Sequence, residues 1–206
     1  LTISFNSDYD CFILQSNSFE SMENPDGVYH KSLEIVAALN GPIKLAVGGD
    51  SPIRVAEVIE LKDDGTTQAY IYGSGNIILP PLEMDMTISI NNGPPVEISQ
   101  AASVPKWVEL QRKYVNIRKA FEIYKKQNLD WGDLYSIYET IQEDIRTEPY
   151  KNDWTTKSKE NNFTQTANHY RHGKSKFKLP DNPMTLENAK NLIDNIFQQW
   201  LDSKTI

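Results

Sequence analysis

Two of the three histidines stand close together in Thr166-Ala-Asn-His-Tyr-Arg-His-Gly173, the densest polar constellation of the chain. An imidazole moves protons near neutral pH. A guanidinium binds phosphate or stabilises the charge of a pentavalent phosphorus centre. Together they are the tools of metal-independent RNA cleavage. The candidate catalytic residues are therefore His172 for proton transfer, Arg171 as the cation, and Asn168, which shares a helix face with His172 because the two are four residues apart. The same residue types also suit a plain helix end with capping groups and solvated cations, and both readings stand at this point.

The surrounding charge supports an anionic partner. Lys157, Lys159, Arg171, Lys174, Lys176 and Lys178 fall in one stretch, opposed by Glu160. Lys174, Lys176, Lys178 and His169 are the candidate RNA-contacting residues. The net charge of the whole chain is -7, which argues against a broad, nonspecific grip on nucleic acid and is compatible with a local one.

Other chemistries find no motif. His169 and His172 are spaced as metal ligands sometimes are, but no nearby carboxylate completes a set, so no metal is expected. No glycine-rich dinucleotide fingerprint, phosphate-binding Gly-Lys-Ser/Thr loop or Gly-x-Ser-x-Gly elbow occurs, and no cofactor is expected. Cys11 is the single cysteine; it reads as a small buried hydrophobe and argues for a reducing compartment. No run approaches the roughly 20 apolar residues of a membrane span, and no leader pattern opens the chain. A cytoplasmic protein without membrane contact is expected.

These side chains must be positioned by elements, and the hydrophobic period says which. Residues 1–100 read as a β-rich domain with one helix. Short strands are expected at Leu1–Phe5 and Phe12–Leu14, a helix over Gly27–Leu39 closed by Asn40-Gly41-Pro42, and a strand over Ile43–Val47. Asp64-Gly65 between two β-prone runs predicts a hairpin, and Met84–Ile90 alternates like a half-buried strand.

Residues 101–206 change to a helical period. Trp107, Leu110, Tyr114, Ile117, Phe121 and Tyr124 predict one long helix. Leu134, Ile137, Tyr138, Ile141 and Ile145 predict a second, with Asp130 as its N-cap. Residues 147–162 read as polar and irregular. A last helix is expected near Thr185, with Ala189, Ile193, Ile196 and Trp200 facing inward. Strands followed by helices make the fold class α+β, with an α-helical C-terminal bundle.

The C-terminal part resembles a HEPN domain, a small helical bundle of bacterial toxins, antiphage systems and CRISPR ribonucleases. Its signature is Arg-Asn-x-x-x-His, then Gly, then a terminal amphipathic helix. Asn168, His172 and Gly173 match that frame, and Met184–Phe197 fits the terminal helix. Residues 105–204 bound the resemblance, and its specific part is under ten residues. The signature arginine position holds Ala167 instead. The resemblance implies either a degenerate relative that keeps the shape, or one in which Arg171 supplies the cation from a new position. It implies an RNA-directed or defence-associated module, with at most weak metal-independent ribonuclease activity. The other reading is a non-enzymatic protein-binding or assembly module with structural histidines. The expected partners are RNA on the first reading, and another protein or a second copy of the chain on the second.

Overall fold

The computed structural model describes residues 2–6, 11–49, 51–72, 103–172 and 176–204. The fold is α+β, and its contacts divide it into two compact units. The first comprises Leu1–Ala37 with Ile53–Glu97, and the second Ala38–Pro52 with Ile98–Ile206. The expected strand at Met84–Ile90 lies outside the described residues.

In the first unit, strands β1 (Thr2–Asn6) and β2 (Cys11–Gln15) pair antiparallel, Thr2 opposite Gln15 and Asn6 opposite Cys11. A single-turn helix α1 (Asn17–Glu20) follows, with the Ser16 hydroxyl accepting from the Ser18 amide. Helix α2 (Pro25–Val47), whose residues from Ala38 on belong to the second unit, begins with proline at its first position and the Asn24 side chain on the Gly27 amide at 2.7 Å. The predicted hairpin is present as β3 (Glu57–Leu61) and β4 (Thr67–Ile71). Gly65 takes φ +82° there, and Asp64 Oδ1 accepts from the Thr66 amide and hydroxyl. Tyr72 stacks on Tyr29 at 3.9 Å and donates to Asp26.

Two expectations fail in α2. It does not end at Asn40-Gly41-Pro42, and Ile43–Val47 is helix, not strand. Pro42 has no N–H to bond the Ala38 carbonyl one turn back. The buried side chain of Gln111 fills that role, donating to Ala38 O at 2.9 Å. Gly41 serves close packing: a Cβ there would lie 2.8 Å from Phe121 Cδ1 and 3.1 Å from the Phe121 carbonyl. The helix ends instead at Gly48, with φ +74° and its amide on the Lys44 carbonyl.

The second unit is the helical bundle. The expected long helix is two, α3 (Val104–Lys113) and α4 (Val115–Tyr124), joined by an extended Tyr114 with φ -119° and ψ 119°. Apolar spacing continues across the break because each segment buries its own face, Trp107 and Leu110 in one and Ile117, Phe121 and Tyr124 in the other. Helix α5 (Trp131–Ile145) opens with a capping box in which Asp130 and Asp133 each accept from the other's amide. Residues 147–162 are more ordered than expected. Pro149–Asn152 makes a 3-10 turn, and α6 (Lys157–His172) starts well before residue 162. Helix α7 (Leu186–Ser203) closes the bundle, capped by Thr185 on the Asn188 amide. Ala189, Ile193, Ile196 and Trp200 are all wholly buried, as their spacing requires. Among the described residues no helix is long and apolar enough to cross a membrane.

Candidate functional site

Helix α6 carries the candidate residues, and its register decides where each can reach. The inner side presents Glu160, Phe163 and Ala167, all buried. Glu160 is held there by two donors, the Tyr138 hydroxyl at 2.7 Å and the Tyr150 amide at 2.8 Å. Burial, then the Glu160 carboxylate, pushes the Tyr138 phenol above its ordinary range. The acid that opposed the basic stretch in the sequence is therefore spent inside the bundle and does not face the surrounding lysines.

On a second side, a strap of chain from Lys176 to Met184 lies against the helix. His169 Nδ1 donates to the Phe177 carbonyl at 2.6 Å. The His172 ring sits 5.3 Å from the Phe177 ring. Further back, Asn162 Nδ2 donates to the Asn182 carbonyl at 2.9 Å. The Met184 amide donates to both Asn162 Oδ1 and Thr166 Oγ1 at 3.2 Å. The strap thus runs antiparallel to α6, pinned at both ends by polar side chains of the helix.

Of the predicted residues, the fold brings His169, His172 and Lys176 to Phe177, and Lys178 follows it in the chain. His172, Lys176 and Lys178 are exposed, and Asn168 is half-buried one turn before His172. Lys174 lies outside the described residues. Arg171 is turned away from this group. Its guanidinium lies 4.1 Å from the centre of the Tyr135 ring and 3.7 Å from the Glu139 carboxylate, both on α5. A planar cation over an aromatic face, paired with an acid, is a stable arrangement for holding helices together. The Ala167 position faces the core, where a guanidinium would need a buried partner. The site can therefore offer an exposed imidazole and lysines, while its arginine is engaged elsewhere.

The sequence reading missed the face that continues back from His172. Ser158, Asn161, Gln165, Asn168 and His172 recur at spacings of three and four, so they form one polar stripe on α6. The spacing from Asn168 to His172 was visible in the sequence; Ser158, Asn161 and Gln165 carry no charge and give no chemical signal of their own. Among the described residues no three side chains of His, Cys, Asp or Glu come together as a metal site. Compared with known families, curated proteins and solved structures, the chain matches none.

Proposed function

We propose that this chain is an RNA-directed module, a degenerate HEPN-like domain that binds RNA at the C-terminal end of α6 without cleaving it. One observation carries the reading. The exposed imidazole of His172 lies against Phe177, whose chain neighbours Lys176 and Lys178 are exposed, while Arg171 is committed to Tyr135 and Glu139. Lysines and an imidazole hold phosphate. Phosphoryl transfer needs in addition a cation fixed on the developing charge, and the one arginine of the motif already has other partners.

The test uses purified protein and a fluorescein-labelled single-stranded RNA. Binding is expected at low salt and is lost as salt rises. Lys176→Ala and Lys178→Ala each lower the salt slope by about one. A denaturing gel shows no cleavage. Robust cleavage that His172→Ala abolishes would overturn the non-catalytic reading, and no binding at low salt would overturn the RNA-directed one.

A second reading, a protein-binding module, has its own support. Ile59, Leu61 and Ile71 lie on one face of the β3–β4 hairpin and are 42%, 74% and 54% exposed. An apolar face of that kind suits a protein partner.

A further inference from the structure

The polar stripe of α6 ends in a groove. Its walls are Lys157, Ser158, Asn161 and Gln165 on the helix, and Pro180–Asn182 on the strap. It is shallow and open. The hydrogen bonds of Asn162 to Asn182 and Met184 fix its floor, so it is built by the fold and not by chance approach of surface side chains. At its far end the stripe runs into His172, with Lys176 and Lys178 beside it on the same strap. From Ser158 to His172 the helix rises by about 21 Å.

We infer that this groove is the continuation of the RNA site, and that its occupant is a single-stranded RNA segment lying along α6. The inference rests on the RNA-directed reading above. No residue of the stripe carries negative charge: Ser158, Asn161, Gln165, Asn168 and His172 are amides, a hydroxyl and an imidazole. Lysines stand at both ends, Lys157 at one and Lys176 and Lys178 at the other. Side-chain amides donate and accept at once, as the edges of unpaired bases require. In duplex RNA the Watson–Crick edges are taken up by pairing and the major groove is too deep and narrow for side chains, so these amides suit a single strand. Asp181 is the carboxylate in the groove wall. It can accept from a base N–H and repels phosphate, so the phosphate contacts fall to the lysines at the two ends. At a spacing of about 3.4 Å per stacked nucleotide, the stripe accommodates about six nucleotides.

The test is fluorescence anisotropy with a fluorescein-labelled single-stranded octanucleotide of mixed sequence, set against the same sequence as a duplex. All substituted residues are exposed, so an unchanged thermal melt is expected and is recorded for each variant. The Asn161→Ala/Gln165→Ala double variant weakens single-strand binding by about tenfold, the effect of losing two ordinary hydrogen bonds. Lys157→Ala lowers the salt slope by about one. Lys62→Ala, on the hairpin of the first unit, changes nothing. The duplex binds more weakly than the single strand, and the double variant does not weaken it further. If the unaltered protein binds no RNA at low salt, the RNA-directed reading fails and this inference falls with it. If it binds in a manner that depends on Lys176 and Lys178, while Asn161→Ala/Gln165→Ala and Lys157→Ala bind as the unaltered protein does, the groove is not part of the track and only this inference is overturned.

Discussion

Helix α7 and the C-terminal half of α2 are both packed into the same core, but they are held in different ways. Helix α7 carries its own instructions. Thr185 caps its start, and Ala189, Ile193, Ile196 and Trp200 supply one continuous buried side. The segment Ala38–Val47 depends on residues far away in the chain. Gln111 donates to the carbonyl that Pro42 leaves without a helical partner. Phe121 packs so closely on Gly41 that a methyl group would not fit. Buried Lys44 donates in turn to the Lys126 and Gln127 carbonyls just past the end of α4. Local signals set a helix end only where no distant side chain supplies what the backbone lacks.

The largest expected effect tests the self-contained helix. Trp200→Ala should lower stability in urea melts by about 3 to 5 kcal/mol, because a wholly buried indole leaves a cavity. It also removes the donor to Asp144 Oδ2 at 2.8 Å. Asp144 keeps Lys204 as a partner at 2.6 Å, so the carboxylate is not left bare. A loss under about 1 kcal/mol would mean that α7 is not anchored through this ring.

The dependent helix is tested by its substitute donor. Gln111→Leu keeps the buried volume but leaves the Ala38 carbonyl unpaired, which should cost about 1 to 3 kcal/mol. The cost should shrink when Pro42→Ala is made first. An alanine at 42 brings back the N–H that reaches the Ala38 carbonyl, so Gln111 is no longer needed for it. A double-mutant cycle reads this directly as coupling between the two sites. Strictly additive losses would show that Gln111 does not stand in for the missing helical bond.

The same contrast explains what could be read from the sequence. The hairpin, the N-cap at Asp130, the start of α7 and the inner face of α7 are all set by neighbours within a few residues, and each was legible. The passage of α2 through Gly41-Pro42 was not, because Gln111 and Phe121 lie about seventy to eighty residues away. The break at Tyr114 left no mark either, since apolar spacing records which side is buried and not the angle between two segments. At the site, the residue types of the Ala167–Gly173 segment were legible. Their partners were not: the pairing of Arg171 with Tyr135 and Glu139, and the inward turn of Glu160 to Tyr138, depend on how α5 packs beside α6.

The smallest expected effect completes the contrast at the start of α7. Thr185 sits in extended backbone, φ -74° and ψ 155°, and its hydroxyl accepts from the Asn188 amide at 3.2 Å. That bond serves one of the orphan N–H groups of the first turn. Thr185→Ala should therefore cost about 1 kcal/mol. Thr185→Ser keeps the acceptor and should recover nearly all of it. The effect should be confined to the first turn: amides near Asn188 exchange faster with solvent in Thr185→Ala, while those near Ile193 and Trp200 keep their protection. If the serine variant is as weak as the alanine variant, the hydroxyl is not the cap. The start of α7 would then be held by the Met184 amide on Asn162 and Thr166, a long-range device of the same kind that carries α2 through its proline.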